Sequence, residues 1–513
     1  MRVHECDSEE IGVPGRRRRL VLTLCCAAAL ALSAAAPAGA ANRIYWANYD
    51  ANTISWANLD GSGGGELPTA GAPLDGPMGL AVDSATGRLY ISNFGSTGVS
   101  NLISWANLDG SGGGGFQTGN ATVSGPHGVA IDPVTRRLYW PNAHVSLISW
   151  GNLDGSGSGD LPIGACLDEP RGVAIDPVSR KIYWANYSAP TNSGEAIGSA
   201  NLDGTGCSLL ATGSASNTQP EGVALDGAGK IYWGSFSAAD TISWAKLDGS
   251  GGSDLSTPGV MPDHPHGVAI DPVAQRIYWA NTDSNQISWA NLNGSGGGNI
   301  PTPGAHPAGP DQAILLETPA GIGGPPLEGR SHPGAKLHCN PARWAGDLFA
   351  SLLYRAPEGV SVRWTKDGKT IHSAKSSSIT AHSIGDFRCV ETGRNPAGSA
   401  SQRSDVLAVF EIGRAKLDES NGTARLPVTV PGPGTLRLSG KGILKQSHGH
   451  AQLSSTLRRK PRTRTFDLLV KPKGKTRKRV NSSGRVKVKV KVTDTPKGGG
   501  HDSRTKTVIL KKR

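Results

Sequence analysis

The sequence predicts an all-β chain in which a six-bladed β-propeller is followed by two β-sandwiches, and three observations predict it. A phrase beginning Arg43-Ile44-Tyr45-Trp46-Ala47-Asn48 returns from Arg88, Arg137, Lys181, Lys230 and Arg276, at intervals of 44 to 49 residues. Beyond residue 321 the phrase stops and strand-like runs of a different spacing take over. Near the end, RVKVKVKV over residues 485–492 alternates cation with valine, the two-residue period of a half-buried strand. A chain of 513 residues has room for about three domains.

The first 40 residues read as an export signal: RRRR over residues 16–19, an apolar stretch over 20–32, and Ala38-Gly39-Ala40 as an A-x-A cleavage site. No later run of 18 uncharged apolar residues exists, so no membrane span is expected after cleavage. Four of the seven cysteines then remain, Cys166, Cys207, Cys339 and Cys389. An even number in an exported chain is compatible with two disulfides. The spacing lacks CxxC and is not that of a metal site.

Residues 41–321 form the propeller. Each aromatic phrase is followed by ISWANLDG (54–61 in the first copy) and a Gly/Ser run, and between copies lies P-x-G-[LV]-A-[LIV]-D, starting at Pro77, Pro126, Pro170, Pro220 and Pro265. These three phrases are three strands with no clean polar face, as expected of strands covered on both sides. Small residues belong near a crowded axis, and Tyr and Trp further out. The fourth, outer strand is assigned to the ELPTAG-type segment (66–71), and four-stranded sheets repeated radially make a propeller. Six aromatic phrases face five clean P-x-G phrases. The degenerate sixth, PDQAILLE over 310–317, therefore supplies the inner strand missing from the blade that opens at Ile44 and closes the ring.

The order P-x-G-[LV]-A-[LIV]-D, R-[IL]-Y-W-x-N, L-D-G over residues 43–318 resembles the YWTD (class B) repeats of low-density-lipoprotein-receptor-type propellers. YWTD is here YWAN in three copies, YISN at Tyr90, YWPN at Tyr139 and YWGS at Tyr232. The resemblance implies that the last position hydrogen-bonds neighbouring blades, which Asn can do and Ser235 does less well. It also implies a binding or scaffolding module. Cys166 and Cys207 fall in adjacent blades, either bridged or as two free buried thiols.

A Pro/Gly-rich linker is assigned to 322–333. Residues 334–410 follow, with strand-like runs at 336–339, 360–364 and 385–389. The order Cys339, Trp364, Cys389, ending Gly-Asp-Phe-x-Cys, resembles an immunoglobulin-like domain and implies a Cys339–Cys389 disulfide. The wide gap from Cys339 to Trp364 implies an insertion at 347–358, and Phe387 stands where such domains carry a tyrosine.

Residues 411–513 hold 27 Lys and Arg against 6 Asp and Glu, while the rest of the chain holds 26 against 35. Half-buried runs at 423–430, 435–439, 465–471 and 485–492 suit a small antiparallel sandwich. The fold class is thus a six-bladed β-propeller followed by an immunoglobulin-like β-sandwich and a basic C-terminal β-sandwich. The cations either keep strand edges from pairing or attach the protein to an anionic wall polymer. Nucleic acid is not an expected partner, because no aromatics interleave with the cations.

No catalytic, cofactor-binding or metal-binding residue is expected, and no cofactor. Asp83, Asp132, Asp176, Asp226 and Asp271 recur in every clean copy, which suits turns and blade linkage. His127 and His266 occupy the x of P-x-G, where other copies have Met78, Arg171 and Glu221, and free variation argues against a site there. Asp263, His264 and His266 are a weak metal cluster, and His144 and Glu195 are unique to their blades. The chain is therefore read as a non-enzymatic binding or scaffold protein, secreted or cell-wall-associated, whose partner is an extracellular protein or a cell-envelope polysaccharide. The alternative is a propeller hydrolase or lyase, lactonase-like or streptogramin-lyase-like, with its site in the axial channel. Three or more unlike carboxylate, Asn or His groups converging within metal-ligand reach would favour that alternative.

Overall fold

The computed structural model describes residues 42–95, 102–187, 196–236, 240–450 and 463–513. The export signal at 1–40 and Glu195 lie outside the described residues. The chain is all-β, and its first part is a ring of six sheets. Five are four-stranded, and the sixth joins Pro310–Leu316 to the N-terminal strands Arg43–Asn48, Thr53–Asn58 and Gly64–Glu66. Arg43 pairs with Leu316, Ile44 with Leu315 and Tyr45 with Ile314, so the end of the repeat completes the sheet with which it began.

The inner strands approach the axis closely enough to require glycine. A methyl group at Gly222 would fall on the Gly267 Cα, and one at Gly267 on the Gln312 Cα. Outside this layer Tyr45, Tyr139 and Tyr278, with Trp46, Trp140, Trp184, Trp233 and Trp279, are fully buried between blades. An arginine or lysine at the start of the second strand caps the third-strand tryptophan in five blades, for example Arg43 over Trp56 at 4.1 Å.

The fourth strand is not the ELPTAG segment. It spans Gly64–Glu66, three residues at the end of the Gly/Ser run. Leu67 still bonds Ile54, but Pro68 has no N–H to continue the ladder. The expected linker at 322–333 is likewise structured: Gly321–Gly323 pairs with Arg343–Trp344, and Leu327–Gly329 with Ala335–Cys339. Those pairings draw the segment into the following sandwich.

That sandwich has two sheets bridged by the Cys339–Cys389 disulfide, with Trp364 buried beside it and its Nε1 donating to the Ser376 carbonyl at 2.8 Å. Residues 347–358 leave the sandwich and dock on the propeller. A 3-10 turn, Phe349–Ser351, lies against the inner strands of blades three to six. Ser351 Oγ donates to the Leu225 carbonyl at 2.5 Å, and Leu353–Tyr354 adds a parallel strand beside Pro310–Leu316. The insertion thus occupies the end of the channel where the inner strands finish.

The basic segment forms two sheets around a core that includes Leu426, Val428, Val490 and Val492. It also carries a ten-residue helix, Gly474–Ser483, which the all-β expectation did not include; only Val480 of it is buried. No helix among the described residues is long and apolar enough to cross a membrane.

Candidate functional site

In five blades, two residues after the inner-strand proline oppose a single residue of the second strand. These are β-bulges, which bend a strand and re-aim a side chain. In the third blade Pro126 bridges Asn142 and Ala130 pairs Tyr139. The first bulged residue is the x of P-x-G. At one level of the channel this gathers Met78, His127, Arg171, Glu221, His266 and Asp311, one from each blade.

Five of these six are polar or charged, and they contact one another. Arg171 pairs with Glu221 at 2.5 Å through Oε1. Glu221 Oε2 lies 3.5 Å from His127 Nε2. His266 Nδ1 meets Asp311 at 3.0 Å, and the two imidazoles stack with centroids 6.4 Å apart. His127, Glu221 and His266 are only 3%, 0% and 8% exposed, and His127 Nε2, Glu221 Oε2 and His266 Nε2 have no hydrogen-bond partner. One ligand atom from each of the three lies within 4.8 Å of the others.

Burial is the largest single influence on each of these groups, and neighbouring charges reverse it at two of them. It pushes His127 down to about 3, with Arg171 and His266 adding to the effect against Asp311, so His127 is neutral. Burial also works against a charged His266, but Asp311 and Glu221 outweigh it and raise the imidazole. Burial raises Glu221 against the pull of Arg171. At Asp311 burial is outweighed by His266, His127 and Arg171, and the carboxyl is lowered. Rings cover the cluster: Phe236 meets His266 edge-on at 4.9 Å, Phe94 meets His127 at 6.0 Å, and Arg171 lies 3.3 Å from the Tyr187 ring centroid.

The structure therefore separates residues that the sequence reading grouped. His264 has φ 47, a left-handed turn just before its strand. That turn sends its ring away from His266, to Asp283 at 2.5 Å and to a stack on Phe236. Asp263, His264 and Asp283 form a second, shallower cluster at the rim. His144 is exposed beside Phe94. Arg171, Glu221 and Asp311 were not recognised as site residues, and variation at x was read as evidence against function. The available signal was that the substitutions at x, in blades otherwise nearly identical, run almost entirely to titratable residues.

The repeated aspartates sit at the opposite end of the same strands. Asp83 takes Arg136 of the next blade through both oxygens, at 2.5 and 2.6 Å, and binds Thr86 in its own turn. Asp132 does the same with Arg180 and Thr135. Asp176, Asp226 and Asp271 accept from backbone N–H groups in their turns. The Asn of the aromatic phrase pins the connector from the preceding blade, as Asn281 Oδ1 does with the Asp263 amide at 2.9 Å. Ser235 replaces that bond by donating to the Ser216 carbonyl at 3.1 Å.

Blade four lacks the third-strand Ser and Trp. Blades three and five use that serine with an outer-strand aspartate to clamp the incoming connector, through Ser149, Asp160 and Thr122 in one and Ser243, Asp254 and Ser216 in the other. In blade four Cys207 clamps the connector covalently through Cys166, S–S 2.02 Å.

No protein-family profile and no curated protein matches the chain. Among solved structures it is similar to a chain of a nidogen/laminin complex, at 17% identity and TM-score 0.43 over 53% of this chain and 98% of that one. It is also similar to a protein described as TolB from Agrobacterium tumefaciens, at 14% identity and TM-score 0.36 over 54% and 96%. A third is hydrazine synthase of Kuenenia stuttgartiensis, at 13% identity and TM-score 0.35 over 48% and 72%.

Proposed function

We propose that the chain is an exported binding and scaffold protein whose propeller engages an extracellular protein or a cell-envelope polysaccharide without transforming it. The observation that carries this reading is a set of aromatics on the face opposite the docked insertion. Tyr49, Phe94, Tyr187 and Phe236 each follow the second strand of a blade and are half-buried, and rings of this kind supply apolar area with a polar handle at interfaces. The two disulfides suit an oxidising, extracellular compartment. The YWTD-like phrases and the Cys–Trp–Cys sandwich, read as immunoglobulin-like, add the expectation of a modular surface protein. The basic C-terminal sandwich is read as an attachment to an anionic wall polymer.

The test is binding of the mature chain to native envelope material. Tyr187→Ala with Phe236→Ala should weaken capture at least about tenfold, the loss expected when interface anchors are truncated. Undiminished capture would remove the aromatic face from the account. Retention on the wall should also fall away by roughly 0.5 M salt, where exposed charges are screened; salt-insensitive retention sinks the electrostatic part.

The second reading, a hydrolase or lyase using the channel, is favoured by one observation: His127, Glu221 and His266 converge as that reading requires. Their near-complete burial beneath Phe94 and Phe236 favours binding over turnover. Lactone or lyase turnover abolished by Glu221→Gln would reverse that preference.

A further inference from the structure

We propose that the axial cluster is a divalent metal site, in which a zinc-class ion is held by His127 Nε2, Glu221 Oε2 and His266 Nε2. The proposal is independent of what the outer face of the propeller binds.

Three features converge. The three atoms are buried and have no hydrogen-bond partner. Orphaned buried polar atoms are costly, at about 1–3 kcal/mol each, so three facing one point call for a common partner. Zinc at ~2.1 Å from nitrogen and oxygen wants tetrahedral donors roughly 3.4 Å apart; His127 Nε2 and Glu221 Oε2 are 3.5 Å apart, and all three groups fall within 4.8 Å. In His266 and Glu221 the remaining side-chain atom is already occupied in the way metal ligands require. Asp311 takes Nδ1 of His266 and thereby directs its Nε2 lone pair inward, while Arg171 takes Oε1 of Glu221 and leaves Oε2 as a monodentate ligand.

Charge agrees. With both imidazoles neutral, Arg171, Glu221 and Asp311 sum to one net negative charge, which a divalent ion overcompensates by one; the open fourth position suits water or an anion. Two imidazoles and a carboxylate, with no thiolate, suit zinc, iron or nickel over Cu(I), and over calcium and magnesium, which prefer all-oxygen sites. The ligands come from blades three, five and six, so the ion would tie together, across the axis, blades that are not all neighbours.

The test uses the mature chain, stripped with chelator and titrated with Zn2+ alone. One equivalent should bind, the thermal midpoint should rise with zinc concentration as linkage demands, and Mg2+ should do neither. Glu221→Gln and His266→Gln should each weaken zinc binding at least about tenfold, and Asp311→Asn about 10–100-fold by freeing the ligand it orients. His264→Gln, at the rim cluster, should leave uptake unchanged. Should the channel variants fail to fold, Co2+ in the native chain should give the visible bands of a tetrahedral nitrogen/oxygen site. A folded, stripped protein that takes up no zinc, zinc uptake lost with His264→Gln, or the absence of cobalt bands would each overturn the proposal and leave the cluster as a proton-sharing His–carboxylate core.

Discussion

Each inner strand meets the channel twice, and its two ends have opposite character. At the finishing end the aspartate is the same in every clean copy, and in the blades around Asp83 and Asp132 it does the same work, closing its own turn and holding an arginine of the next blade. At the starting end the residue after the proline differs in almost every copy, and five polar side chains of four kinds meet across the axis. In a ring of near-identical wedges, a repeated residue faces a repeated environment and can only do a repeated job. A single site requires the copies to differ, and they differ where the bulge points inward.

The sharpest way to break this comparison is to remove one partner at the varied end. Glu221→Ala leaves the Arg171 guanidinium, whose side chain is 16% exposed, without its buried carboxylate. Arg171 then keeps only the longer contact to the more exposed Glu169, at 3.6 Å; removing the partner of a buried charge costs about 3 kcal/mol, and chemical denaturation in chelator should show a loss approaching that size. A loss below about 1 kcal/mol would mean that the cluster is better hydrated than its geometry indicates.

At the repeated end the same operation should cost less. Asp132→Ala frees Arg180, whose side chain is 40% exposed, and a turn amide at Val134. Both can turn to water, so about 1–2 kcal/mol is expected from the lost charge-assisted bonds. Equal costs at the two ends would erase the distinction between them.

The two ends were not equally legible in the sequence. The period, the three-strand phrases and the closing segment at 310–317 could be read because periodicity and turn chemistry are local. The axial cluster could not, since His127, Arg171, Glu221, His266 and Asp311 lie 44 to 50 residues apart and are brought together only by ring closure. Variation in a repeat argues against a repeated role, but variation among titratable types is itself the signal of a single site. The docking of residues 347–358 also escaped, because an insertion carries no mark of the surface it will cover. The helix Gly474–Ser483 was hidden by its cations and lack of an apolar stripe, although Gly484 after it, at φ 63, is the usual left-handed stop.

The repeated end is also where the insertion docks, and there the comparison can be sharpened by pH. Glu317, at the close of the last inner strand, is pushed up to about 7 by burial and by Asp271 beside it. Glu358 in the insertion is likewise pushed up to about 7 by burial, with Asp109 and Asp347 adding to it. For both, the folded pKa lies above the unfolded one, so the folded state holds protons that the unfolded chain has released. Stability is then gained as pH falls through about 7 and lost as it rises. The raised His266 acts in the same direction. His127, held neutral in the fold, opposes it only once the unfolded imidazole protonates below about 6.5. Between pH 8 and 6.5 the thermal midpoint should therefore rise on acidification, by less than either substitution shifts it because both glutamates are partly solvated. Glu317→Gln with Glu358→Gln should flatten that slope while leaving zinc uptake unchanged, separating the docked end from the axial cluster. A midpoint that instead climbs toward pH 8 would mean that these carboxyls are ionised in the fold and that the insertion sits more loosely on the ring.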